Sequence, residues 1–117
     1  MEKRNGGCHC GKVRYEAEVD LATPVVECNC SICAGKGLLL TFTPESQMTI
    51  TSGGELLTEY RFNTEKLVHF FCKMCGMEVF VKAHDPSGNV VYAINARTLD
   101  GVDVSALERT PRDGKAG

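Results

Sequence analysis

The seven cysteines of this 117-residue sequence fall into three short groups, and these groups constrain the fold more than any other feature. They are a C-x-C pair, a C-x-C-x-x-C trio and a C-x-x-C pair, formed by Cys8 and Cys10; by Cys28, Cys30 and Cys33; and by Cys72 and Cys75. An odd number of cysteines fits a disulfide framework poorly, whereas such short spacings are typical of metal sites in a reducing compartment. The alternative is that these are buried core cysteines. Core cysteines have no reason to cluster in this way, so the spacing favours metal binding.

The two cysteine pairs together supply the four ligands of a closed metal site. Residues i and i+2 of an extended chain point the same way, so Cys8 and Cys10 can face one metal ion. Cys72 and Cys75 form a knuckle, and Gly76 follows at a position where such a turn often needs a positive φ. Four thiolates complete a tetrahedron around zinc, and a closed site of this kind is structural. We therefore predict a zinc ion that ties the N-terminal strand to the middle of the chain.

The central trio supplies three ligands, which leaves one corner of a tetrahedron open. Cys28 and Cys30 share a face, and Cys33 returns after the turn at residues 31–32. An open corner that takes water or substrate is the mark of a catalytic zinc. A histidine or carboxylate from elsewhere in the chain could also close the site, and the spacing alone does not decide between the two.

The three histidines are weaker candidates for a functional role. His9 lies between two predicted ligands and is expected to point away from them, and His84 opens a turn. His69 precedes Cys72 by three residues. It is either a catalytic group that orients substrate or relays a proton beside the trio, or a structural histidine with satisfied hydrogen bonds.

The rest of the sequence has the pattern of a single all-β domain. Residues 12–19 alternate between apolar and charged side chains, which predicts a half-buried strand. Further short β-rich segments lie at residues 37–43, 47–52, 56–62, 66–71, 77–83 and 89–96. Residues 30–35 and 104–109 could form a helical turn or two. We predict one domain over residues 1–117, with its core at residues 5–104 and a loose tail at residues 105–117.

Charge and hydropathy argue against two classes of partner. The formal net charge is -2, whereas binding driven by phosphate attraction usually needs a basic face, so no nucleic acid is expected. The sequence has no run of 18 apolar residues, which predicts no membrane-spanning helix. The first residues lack the apolar segment of a signal peptide, and a cytoplasmic location is expected.

Four segments in this order resemble the family of glutathione-dependent formaldehyde-activating enzymes, which includes centromere protein V. They are "GGCHCGKVRYE", "CNCSICAGKG", "HFFCKMCG" and "NARTLDGVD". The resemblance implies a zinc-binding fold of the β-tent type, built from short antiparallel sheets. It also implies two zinc ions, a structural one held by the two pairs and a catalytic one held by the trio. The implied activity is the addition of glutathione to formaldehyde, giving S-(hydroxymethyl)glutathione, which is the reverse of a carbon-sulfur lyase reaction.

An anionic thiol such as glutathione, as co-substrate, would need cationic anchors. The candidates are Arg14, Lys36, Lys66 and Arg97. Arg97 is the best of these because it lies in the family-like "NARTLD" segment. The expected partners are therefore a small-molecule thiol and aldehyde, with the oligomeric state left open. Two other functions fit the sequence: a binding module that zinc merely stabilises, and a sensor of zinc or thiol stress that uses the trio as a labile metal store.

Overall fold

The computed structural model describes residues 2–61 and 67–112, in which ten strands and one short α-helix are present. The strands are β1 Glu2–Gly7, β2 Arg14–Val19, β3 Val25–Cys28, β4 Leu40–Pro44, β5 Met48–Ser52, β6 Leu57–Tyr60, β7 Val68–Cys72, β8 Glu78–His84, β9 Val90–Asn95 and β10 Arg109–Arg112. The helix α1 is Ser31–Lys36, and 3₁₀ turns are Glu45–Gln47, Gly54–Leu56, Ala96–Thr98 and Val104–Ala106. The predicted all-β class is confirmed.

The strands form a three-stranded sheet in the order β1-β2-β5 and a seven-stranded sheet in the order β10-β3-β4-β9-β8-β7-β6. Neighbouring strands pair antiparallel, as predicted, except that β10 runs parallel to β3. In the described residues, no helix is long and apolar enough to cross a bilayer.

The alternating pattern of residues 12–19 has the expected consequence in β2. Tyr15, Ala17 and Val19 are almost fully buried, while the residues between them are partly exposed. The buried side of β2 faces the large sheet, where the ring of Tyr15 packs edge-on against Phe80 at 5.9 Å between centroids. Alternation of this kind is what a strand with one face on the core requires.

Three strands were not predicted, and one of them corrects the expected tail. Strands β1 and β3 lack a clear alternating pattern, since β1 is largely polar and β3 has four residues. The expected loose tail at residues 105–117 is wrong for residues 109–112, which form β10. The amide of Val25 donates to Glu108 O at 2.9 Å, and that of Asn29 to Arg112 O at 3.1 Å. Pro111 is tolerated because β10 is an edge strand. Residues 113–117 lie outside the described residues.

The large sheet buries both of its faces, in two separate hydrophobic clusters. The pleat is seen where β8 pairs with β9: Phe80 and Ile94 belong to one cluster, and the next pair, Val81 and Ala93, to the other. The first cluster fills the space between the two sheets and contains Cys8 and Cys72. The second contains Cys28 of β3 and Cys33 of α1. The two cysteine sets thus lie against opposite faces of one sheet.

Candidate metal centres and the adjoining groove

The two cysteine pairs meet at one place although 62 residues separate Cys10 from Cys72. The Sγ atoms of Cys8, Cys10, Cys72 and Cys75 all lie within 4.8 Å of one another. Cys10 Sγ is 3.4 Å from Cys8 Sγ and 3.8 Å from Cys72 Sγ. Four sulfurs at 2.3 Å from a tetrahedral zinc would be about 3.8 Å apart. The group therefore has nearly the spacing that a closed tetrathiolate site needs.

Tight turns place each pair. Gly76 has a φ of 78°, as predicted, and its amide donates to Cys72 O at 2.7 Å. Gly11, just after Cys10, also has a positive φ, of 79°. A residue with a Cβ rarely adopts these angles, so the glycines allow the chain to turn back directly after the second sulfur of each pair.

The thiols of this first group differ widely in acidity. Burial acts to raise the pKa of Cys75, but amide hydrogen bonds from Met77 and Cys10 outweigh it and lower that pKa to about 6. At Cys10, the amide of Lys12 favours the thiolate, but the neighbouring Cys8 sulfur and burial raise the pKa to about 11. Sulfurs this close cannot all ionise without a compensating cation. Some of the four thiols therefore stay protonated until a cation is bound. A divalent metal ion would supply that charge.

The central trio is organised around the first turn of α1. Cys28 ends β3, Cys30 is the N-cap of α1, and Cys33 lies within the helix. The amide of Cys33 donates to Cys30 Sγ at 3.4 Å, and that of Cys30 to Cys28 Sγ at 3.5 Å. All three Sγ atoms lie within 4.8 Å of one another. Among residues 2–61 and 67–112, no histidine, aspartate or glutamate completes this group as a fourth ligand.

The position of Cys30 at the N-cap of α1 makes its pKa differ from that of Cys33. Burial raises the pKa of Cys33. At Cys30 burial acts in the same direction, but the amide of Cys33 and hydrogen bonds from the other two thiols outweigh it and lower the pKa. The amides at the start of a helix favour an anion at the cap in the same way. The trio therefore holds at least one thiol disposed to ionise, which is the form that binds metal.

Both groups fit zinc by their donor chemistry. Thiolates are soft ligands, and sets of three or four favour zinc over magnesium or calcium, which prefer oxygen. The seven cysteines are free thiols. In the described part of the chain, these two groups could each hold a metal ion.

A groove of about 650 Å³ opens beside the trio. Its walls come from β3, α1 and β10, and its lining residues are Glu27, Cys28, Asn29, Cys33, Ala34, Gly37, Leu38, Pro111 and Arg112. A volume of this size is ordinary for a small-molecule site. Cys28 and Cys33 of the trio thus border this groove, whereas none of the four cysteines of the first group is among its lining residues.

His69 lies in a buried network that holds the end of α1. His69 Nδ1 is 2.8 Å from Glu78 Oε2, and Lys36 Nζ is 2.7 Å from Glu78 Oε1. Both His69 and Glu78 are almost fully buried. The network joins β7 and β8 to the last turn of α1, the helix that carries Cys33.

The predicted cationic anchors are largely engaged with other groups. Arg14 forms an ion pair with Asp100, and Lys36 pairs with Glu78. Arg97 Nε donates to Gly37 O at 2.8 Å, which fixes the C-cap of α1 at the rim of the groove. Lys66 lies outside the described residues. Sequence reasoning did not single out Arg112, which lines the groove, because its segment was expected to be a loose tail.

Fold and site together define a class: an all-β protein with two thiol groups, each able to hold a metal ion, on opposite faces of one sheet. The model of the family "Glutathione-dependent formaldehyde-activating enzyme" matches residues 3–111. The chain belongs to this family, which confirms the resemblance seen in the four sequence segments.

Known proteins that are similar to this chain include a curated relative and a solved structure. A Halomonas elongata protein that carries the provisional name glutathione-dependent formaldehyde-activating enzyme is 27% identical in an alignment 84 residues long, and the match covers 65% of this chain. The match spans only about half of that relative, 54% of its length. A crystal structure of a Rhodobacter sphaeroides protein has a TM-score of 0.78 and 30% identity, and the match covers 91% of this chain and 99% of that one.

Proposed function

We propose that the protein is a zinc-dependent enzyme of the carbon-sulfur lyase type, which joins a small thiol to a small aldehyde. The observation that carries the proposal is the trio beside the groove: three convergent thiols with no fourth side-chain ligand among the described residues. Membership in the family and the name of the Halomonas relative point to glutathione and formaldehyde as the pair.

The reaction is a redox-neutral addition. The substrate sulfur forms a bond to the aldehyde carbon, the carbon-oxygen π bond opens, and the thiol proton ends on the new hydroxyl oxygen. A zinc ion held by Cys28, Cys30 and Cys33 would lower the pKa of a thiol that occupies its open position. The groove, which Cys28 and Cys33 line, would give a small thiol access to the trio.

The surrounding residues hold the site in one shape. Cys30 caps α1, and Cys33 lies one turn further along the same helix. The C-terminal end of the helix is tied to the sheet by Lys36 and Glu78, and to the segment after β9 by Arg97. We assign His69 to this support rather than to proton transfer, since its Nδ1 faces Glu78 and the residue is buried. Preorganisation of this kind is what a reactive site requires.

The first cysteine group has a structural role in this proposal. Cys8, Cys10, Cys72 and Cys75 would hold a closed zinc that joins the end of β1 to the turn between β7 and β8. A closed tetrahedron leaves no position for substrate.

The activity can be measured by exchange NMR on an equilibrium mixture of glutathione, formaldehyde and their adduct. This method is needed because thiols add to formaldehyde without a catalyst. Zinc-loaded protein should raise the exchange rate above the uncatalysed background, and Cys30→Ser should abolish the increase. Ser87→Ala, on the loop between β8 and β9, is the control and should leave the increase intact. An exchange rate equal to background with the zinc-loaded wild-type protein would refute the proposal for this pair.

A further inference from the structure

Arg112 is the one cationic side chain among the described residues that line the groove. In the parallel pairing of β10 with β3, Arg112 is the register partner of Cys28, and Thr110 is that of Val26. Side chains of paired residues project to the same side of a sheet, and the two faces alternate along each strand. The guanidinium of Arg112 and the thiol of Cys28 therefore share one face.

The charge of Arg112 is uncommitted within the described residues. The ion pairs of residues 2–61 and 67–112 engage other cations, and none of them includes Arg112. Its neighbour Arg109 lies 3.3 Å from Glu27, the acidic residue of the groove, and so offsets that negative charge. An exposed arginine beside a small-molecule groove presents a planar fork of donors that suits a carboxylate.

From this placement, we propose that Arg112 is a specificity-determining residue that binds a carboxylate of the thiol substrate while the sulfur of that substrate lies beside the trio. The inference rests on the proposed function and deepens it, because it selects carboxylate-bearing thiols over neutral ones. It also gives β10 a role beyond completing the sheet: this edge strand carries the anchor.

The test compares two ligands that have the same thiol and the same peptide. Glutathione carries two carboxylates, and its diethyl ester carries none. Cobalt-loaded protein is titrated with each, and the growth of the thiolate-to-cobalt charge-transfer band reports binding at the trio. Arg112→Gln should weaken glutathione binding about 10-fold, the size expected for one charge-assisted hydrogen bond, and change ester binding less than about 2-fold.

Arg61→Gln is the matched control, because it removes the same charge at the other edge of the large sheet, next to β6. It should leave both affinities unchanged. Arg112→Lys keeps the charge and should recover part of the glutathione affinity.

The outcomes separate the two proposals. If neither ligand changes the spectrum of the wild-type protein, the proposed function and this inference both fail. If both ligands bind and Arg112→Gln weakens them equally, or weakens neither, the inference is overturned while thiol binding at the trio stands. If Arg61→Gln also weakens the binding of glutathione and not that of the ester, the effect is one of net charge, and the inference is overturned as well.

Discussion

Tyr15 shows how a single buried group links the three-stranded sheet to the rest of the molecule. Its ring packs on Phe80, and its hydroxyl lies 2.6 Å from Thr98 Oγ1. Burial raises the pKa of Tyr15 to about 12, although the hydrogen bond with Thr98 opposes that rise. Gly6 lies against the same hydroxyl, so that no larger residue would fit there without displacing it.

This pKa predicts a loss of stability in alkali. An unfolded tyrosine has a pKa of about 10, so between about pH 10 and about pH 12 the unfolded state gives up a proton that the folded state keeps. The contribution of protonated Tyr15 to the free energy of unfolding is fully present below about pH 10. It falls as the pH rises, by up to about 3 kcal/mol. Tyr15→Phe removes the hydroxyl and should lower the free energy of unfolding by about 1 kcal/mol at neutral pH. The free energy of unfolding of this variant should then fall less than that of the wild-type protein as the pH rises into the alkaline range.

Urea unfolding of both proteins across this pH range, at fixed zinc concentration, provides the measurement. Parallel falls of the two unfolding free energies would show that Tyr15 is not the group responsible.

Residues with chemical constraints were the most predictable from the sequence. The cysteine groups and the positive φ of Gly76 follow from spacing and turn chemistry alone. The partners of Arg14 and Arg97 did not, since Asp100 and Gly37 O are brought to them only by the tertiary fold. Long-range contacts of this kind leave no local pattern in a sequence.

At the level of elements, the cysteine group at α1 and the one at the turn after β7 close loops of very different length. The trio spans only six residues, 28–33, and closes a short loop on one face of the large sheet. The first group instead joins segments that are far apart in the sequence, and its Cys72 is fully buried. A metal that closes a long loop restricts the unfolded chain more than one that closes a short loop.

Mutation of the two groups should therefore have unequal effects. Cys72→Ser should leave the chain unfolded or aggregated, because a structural zinc can contribute about 10–16 kcal/mol, while a domain has about 5–15 kcal/mol of stability in total. Cys30→Ser should stay folded and lose only the second metal. Serine is also a good N-cap, so α1 should keep its first turn.

Circular dichroism and zinc content of the two purified variants give the comparison. Equal unfolding of both would make the trio structural and favour a scaffold rather than an enzyme. A folded Cys72→Ser beside an unfolded Cys30→Ser would mean that the two roles are assigned the wrong way round.

Strands were predictable where one face is buried and the other is wet, as in β2. The edge strands β1 and β10 were not predictable in this way, although the edge strands β5 and β6 were. β1 has little apolar character, and β10 contains Pro111 and consists of exposed residues. Both strands form because a neighbouring strand offers free backbone groups, and backbone pairing does not depend on side-chain pattern.

For the molecule as a whole, the proposed function assigns a structural role to one face of the seven-stranded sheet and a chemical role to the other. One face packs on the small sheet and carries the group of four cysteines, and the other carries α1, the trio and the groove. The spacing of the cysteines indicated that four of them belong to one site and three to another. It could not indicate that they lie on opposite faces, because this depends on the pairing order of the strands.

The proposed function requires that one chain holds two metal ions, four thiols around one and three around the other. Native mass spectrometry of protein purified after zinc-replete expression counts these ions. We expect two zinc ions per chain, with one lost first under mild chelation and both absent from Cys72→Ser. A stoichiometry of one zinc ion per chain in the wild-type protein would rule out the second site.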